Sequence, residues 1–351
     1  MPGRLHRHII RCAAALLAAA LTLCASCSRS ADEPTPPHSG PGTAMLHIQI
    51  ALANPTGPSR ANPADDPLPA DDGEKMQLLR IIILDGNGYA EHNSLWDLRS
   101  APDITATGQA FPVRANDTKT IIFVANEHSE CMDGVRDELS GINAAVGEKV
   151  DLDRLHSLLL DAPVTSPLPI SAVYTYHIGP ATAYRATFLI HRAAVKYSFR
   201  ITNNDSDEPH RVDYVAIDNA ATTQYLLPDA DYTADDQTAW SAYRVPPTAG
   251  VEQRTYGVNA DIAYGNTLEL PAIYLPEGRP GTDSYHAGIS VDGNFLGWAE
   301  LRDENGNPMT DLPRNTHVVI NITLNLEYSD FKINYTVCPW QTEEIDIPDF
   351  D

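Results

Sequence analysis

YRATFLIHRAAVKYSFRIT, residues 184–202, is the stretch on which the fold turns. It is rich in β-branched and aromatic residues and carries no Gly or Pro, so it reads as strand. The alternation changes phase near His191, which predicts two consecutive strands with different inward faces. A strand pair of this kind runs from one β-domain into the next.

Working outward, MLHIQIAL at 45–52 places Leu46, Ile48, Ile50 and Leu52 on one face of a strand, alternating with His47, Gln49 and Ala51. QLLRIIIL at 77–84 and KTIIFVA at 119–125 are continuous apolar runs, the pattern of buried strands. Toward the C-terminus, residues 212–217, 288–291, 317–326 and 331–337 follow as strands at the spacing of a sandwich. Asp85-Gly86-Asn87-Gly88, Asp292-Gly293-Asn294 and Gly306-Asn307-Pro308 are turns. The clear helical stripe is Leu152, Leu155, Leu158 and Leu159, predicting a helix over 150–160 with Asp151 as N-cap. These readings predict a mainly β chain: two antiparallel β-sandwich domains, residues 45–190 and 191–351, with one or two short helices in the first.

Composition narrows the function. The chain has 351 residues, 43% of them apolar, so it is long enough for two cores. It holds 24 Lys+Arg against 47 Asp+Glu, a net charge of −23. Such a surface is a poor binder of nucleic acid, whose affinity comes from basic groups neutralising phosphates. The many Pro (27) and Gly (21) residues favour turns and short strands.

Arg4, Arg7 and Arg11 precede a short apolar run ending in Cys24-Ala25-Ser26-Cys27. The run is too short to span a bilayer and reads as an export signal, residues 1–26. Small residues just before a cysteine are the pattern of a bacterial lipoprotein, with Cys27 as the acylated residue. Ordinary secretion without lipid is the alternative. Residues 27–44 then form a Ser/Pro-rich tether, and residues 54–73 a Pro-rich exposed loop.

The sequence carries no catalytic signature: no HExxH, no P-loop, no GxGxxG after a strand, no GxSxG elbow. No cofactor or metal is expected. Two acidic loops, Asp229/Asp231/Asp235/Asp236 and Asp303/Asn305/Asn307/Asp311, depart from the EF-hand pattern and read as solvated turns. Cys131 and Cys338 lie far apart in sequence and read as free thiols, with a bridge between them as the alternative.

Several segments together resemble the FimA-type fimbrillin family of type V pilus subunits and anchors in Gram-negative anaerobes. They are Leu79-Arg80-Ile81-Ile82-Ile83-Leu84-Asp85, Thr120-Ile121-Ile122-Phe123-Val124-Ala125-Asn126-Glu127, His191-Arg192-Ala193-Ala194-Val195-Lys196, Leu312-Pro313-Arg314-Asn315-Thr316-His317 and Val337-Cys338-Pro339-Trp340. The resemblance implies two transthyretin-like sandwiches and a non-enzymatic structural subunit of a fimbrium. It implies export as an outer-membrane lipoprotein and cleavage by an arginine-specific protease after the first strand. It also implies polymerisation by β-strand exchange with other fimbrial subunits, with host or bacterial surface ligands as further partners. Arg60-Ala61, in the loop after the first strand, is the matching cleavage position. Leu46, Ile48, Ile50 and Leu52 belong to the strand that would be displaced, and Ile345, Ile347 and Phe350 of the tail to the strand that would be donated. A membrane-retained anchor or accessory subunit and a glycan-binding surface lipoprotein are the alternatives.

Overall fold

An unbroken apolar strand needs cover on both faces, and the first sandwich provides it. In a computed structural model, the described residues are 42–53, 71–103, 105–205, 208–228, 232–233, 246, 249–278, 283–302, 306–325 and 330–339. One leaf of the first sandwich has strand order β3-β2-β5-β7, where β2 is Leu78–Leu84, β3 Ala90–Asp97, β5 Asp117–Ala125 and β7 Ile170–Ile178. The short β12 (Tyr232–Thr233) pairs with β7. The facing leaf has order β8-β1-β4, where β1 is Thr43–Leu52, β4 Thr105–Arg114 and β8 Ala183–Arg192. Among the described residues, main-chain pairing joins the leaves where β7 and β8 meet at Ile170–Arg192 and Ser171–His191. Beyond that corner the Tyr174 hydroxyl takes over, donating to the Leu189 carbonyl at 2.5 Å and accepting from the Leu189 N–H at 3.0 Å.

Ile81, Ile83, Ile121, Phe123 and Tyr174 fill the space between the leaves. Ile82, Ile122, Val124 and Val173 point the other way, into a second apolar layer. That layer is closed by helix α1 (Asp133–Gly141), helix α2 (Leu152–His156) and Leu226 and Leu227. The runs 77–84 and 119–125 are therefore apolar throughout because β2 and β5 lie between two layers.

The second sandwich packs β13-β10-β16-β17 against β14-β9-β18-β19. Their bounds are β9 Val195–Asn203, β10 His210–Ala221, β13 Val251–Ile262, β14 Thr267–Glu269, β16 His286–Val291, β17 Asn294–Glu300, β18 Thr316–Asn325 and β19 Asp330–Pro339. β15 (Ile273–Leu275) also pairs with β9. Tyr197, Phe199, Ile217, Ile289, Ile320 and Ile322 are central to this core. The turn between β16 and β17 has positive φ at Asp292 and Gly293 (51° and 77°), the primed geometry that suits a tight hairpin.

Residues 184–202 hold two strands, β8 pairing in the first sandwich and β9 in the second, with Ala193-Ala194 between them. Residues 42–351 nonetheless form one compact unit.

Two readings are corrected. Most ladders are antiparallel, but β1 runs parallel to β8 and β9 parallel to β18. A period of two defines a strand's faces and says nothing of its direction. The helix read over 150–160 is only Leu152–His156, and Leu159–Asp161 is β6, which pairs with β11 (Thr223–Tyr225). Asp151 does cap the helix, accepting from the Arg154 N–H at 3.0 Å, but Leu160 is drawn off into the second apolar layer by its strand partner. α1 carries its apolar signal in only two buried side chains, Val135 and Leu139, four residues apart. Cys131 is a free thiol, which agrees with its reading and removes the alternative of a bridge to Cys338.

Candidate functional site

β1 occupies a seat rather than an edge. It pairs antiparallel with β4 from Thr43–Arg114 to Ala51–Thr105, and parallel with β8 from Met45–Ala183 to Leu52–Ile190. Its main chain is hydrogen-bonded on both sides along nearly its whole length. Leu46, Ile48, Ile50 and Leu52 are each no more than 3% exposed. They face Phe111, Ile121, Phe123, Tyr174 and Phe188 within one core. The walls of the seat are aromatic: the ring of Phe188 lies 4.8 Å from that of Tyr174 and 5.2 Å from that of Phe123, and Phe111 meets His92 edge-on at 5.1 Å. Burying four side chains of this size is worth about 6–12 kcal/mol by area, an upper figure because an unfolded chain already buries part of that surface.

The strand departs from the one-faced pattern of its sequence. Gln49 and Ala51 are also buried, at 2% and 0% exposure. At this point the register slips: Ile48 opposes Gln109 and Gln49 opposes Thr107, leaving Gly108 as the extra residue of a bulge in β4. The Gln49 Oε1 has no hydrogen-bond partner among the described residues. The N-terminal end of the seat opens into a cleft of about 730 Å³ lined by Thr43, Asp85, Glu91, His92, Arg114 and Val146.

At the other end, the seat meets a buried polar junction between the sandwiches. Arg192, at the end of β8, donates from Nε to the Glu74 carbonyl (2.9 Å) and from Nη1 to Asn315 Oδ1 (3.3 Å). The Glu74 carboxylate pairs with Lys196 of β9 at 2.9 Å and accepts from the Tyr274 hydroxyl at 2.7 Å. Burial, reinforced by that carboxylate, pushes the Tyr274 phenol far up. Arg314 donates to Glu277 Oε1, to Ser171 Oγ (3.1 Å) and to the Leu226 and Tyr225 carbonyls (2.8 and 2.6 Å). Burial, together with the Arg314 and Arg192 guanidiniums, pushes the His191 imidazole down to about 3, so it is neutral. The first sandwich has a comparable tie inside: Arg80 makes a bidentate pair with Glu127 at 2.7 and 2.8 Å.

Of the residues expected from sequence, Leu46, Ile48, Ile50 and Leu52 come together as one buried row. Cys27, Arg60, Ala61, Ile345, Ile347 and Phe350 lie outside the described residues, as do Asp229, Asp231, Asp235, Asp236, Asp303 and Asn305. Among the described residues no cluster of His, Cys, Asp or Glu could hold a metal ion. Glu74 and Glu277, which complete the junction, are not marked by any reading of the sequence. Both lie in polar turns rather than in an apolar run, so the signal that a charge within an apolar strand gives for Arg80 is absent for them.

No protein-family model matches this sequence, and no curated protein is similar to it. Solved structures do share the fold. A putative cell adhesion protein from Parabacteroides distasonis superposes with a TM-score of 0.61 at 16% identity, over 86% of this chain and 98% of that one. The tip fimbrial protein Mfa3 from Porphyromonas gingivalis, with C-terminal truncation, superposes with a TM-score of 0.51 at 13% identity, over 85% of this chain and 100% of that one. At such identities the likeness is one of fold.

Proposed function

We propose that this chain is a structural, non-enzymatic subunit of a surface fimbrium that assembles by β-strand exchange. It is exported as a lipoprotein acylated at Cys27 and held at the outer membrane. Cleavage between Arg60 and Ala61 then frees β1. The observation that carries this reading is the seat itself. β1 is central between β4 and β8, so its departure uncovers two strand edges and an apolar row at once. Open edges above a row of apolar pockets are what a strand from another subunit pairs with: main-chain bonds supply affinity and alternate side chains fill the pockets. The tail residues Ile345, Ile347 and Phe350 are the candidate donor side chains. The fold shared with proteins described as cell adhesion and tip fimbrial supports the same reading.

One observation favours a glycan-binding surface protein instead. Phe295 and Trp298 of β17 are exposed, with rings 5.0 Å apart, and Tyr214 of β10 stacks on Phe295 at 6.3 Å.

N-terminal sequencing of the protein taken from cell-surface filaments separates these readings. A stalk subunit begins at Ala61, and Arg60→Ala leaves it monomeric and tethered. A chain that begins at acylated Cys27 within filaments is the anchor or accessory subunit. Absence from filaments, with binding to polysaccharide arrays, overturns the fimbrial reading in favour of the glycan-binding one.

A further inference from the structure

One side chain of the second sandwich reaches the strand in the seat. Asn315, immediately before β18, is fully buried. Its backbone sits at φ 61°, a left-handed conformation in which asparagine is enriched. Its N–H donates to the Ala194 carbonyl at 2.7 Å. Arg192 donates to its Oδ1, which fixes which way the amide faces. The Nδ2 is therefore turned to the seat, where it donates to the carbonyl of Ala53 at 2.8 Å. Ala53 is the residue after β1. It is buried, lies one position beyond the last apolar side chain, Leu52, and donates its own N–H to the Ile190 carbonyl at 2.8 Å.

We propose that Asn315 is a specificity determinant of the seat, selecting strands by the backbone they carry past their last pocket-filling side chain. This rests on the strand-exchange reading above. The occupant it fits is an extended segment of another subunit with apolar side chains at the positions of Leu46, Ile48, Ile50 and Leu52 and at least one further residue offering a carbonyl. A strand that stops at position 52 fills every apolar pocket yet leaves the Asn315 amide buried without its acceptor. A buried donor deprived of its partner costs more than the same bond contributes when made. The check on the occupant is thus made by a sandwich that supplies none of the apolar pockets.

The test uses the full chain with a specific protease site placed within residues 54–70. After nicking, the resident strand is replaced by labelled synthetic peptides of sequence 43–53 or 43–52, both amidated at the C-terminus. The terminal amide of the shorter peptide stands in for the Ala53 N–H, so the pair differs in the Ala53 carbonyl and methyl. We expect both to bind, with the 43–53 peptide leaving about tenfold more slowly. In Asn315→Gly, which keeps the left-handed backbone available, the two should leave at the same rate. Equal rates in the unmutated chain overturn the proposal, and that comparison stands alone if the variant does not fold. A difference that persists in Asn315→Gly also overturns it. Failure of both peptides to bind overturns strand exchange itself, and the proposal with it.

Discussion

Arg80, Glu127, Arg192, Lys196, Arg314 and Asn315 stand in or beside apolar runs, and all are buried. Each is matched by a partner, because a buried charge left alone is far more costly than one that is paired and hydrogen-bonded. They fall in four of the five segments whose sequence resembles fimbrillins. Gln49 is a different case. Its Oε1 is buried on β1 with no partner among the described residues, a weakness in the strand proposed to leave. Gln49→Leu should therefore stabilise the uncut chain, by about 1 kcal/mol. Urea unfolding checks this: the midpoint should rise, and a lower midpoint would show that the glutamine side chain contributes to β1 instead.

At the scale of the element, β1 is bonded on both sides and apolar on the face toward the core. Ile48 lies midway along it, 3% exposed. Ile48→Asp would place an unpaired carboxylate there, and the uncut chain should lose about 4 kcal/mol or more. The measurement is equilibrium unfolding at pH 7, and a loss under about 1 kcal/mol would mean that β1 adds little to the first sandwich. The helices teach a different point. The leucines at 152, 155, 158 and 159 fit a helical period, yet the chain turns to strand at Leu159 because β11 offers main-chain partners there.

For the whole molecule, the junction between the sandwiches sets an acid limit. His191 is buried there, facing Arg192 and Arg314, with its pKa lowered from 6.5 to about 3. Between those values the unfolded chain binds a proton that the folded chain does not. Stability therefore falls as pH drops from about 6.5 toward 3, by up to about 1.4 kcal/mol per pH unit from this group, and the group has no effect above that window. Urea midpoints at pH 7.0, 5.5 and 4.5 should fall less steeply in His191→Gln than in the unmutated chain. Parallel curves would remove His191 from the account.

The sequence by itself marked β1, β2, β5, β10, β16, β18, β19 and the two strands within residues 184–202, because burial imposes a period of two that survives in the residue order, while β3, β4, β7 and β13 went unread. It also marked Leu46, Ile48, Ile50 and Leu52 as one row. Only the tertiary structure decided that β1 lies between β4 and β8, since the direction and neighbours of a strand depend on main-chain bonds that side-chain alternation does not encode. It alone joined Asn315 to Ala53, residues 262 positions apart. A hydrogen bond of that separation exists only once both cores have formed around it, so no local pattern in the chain records it.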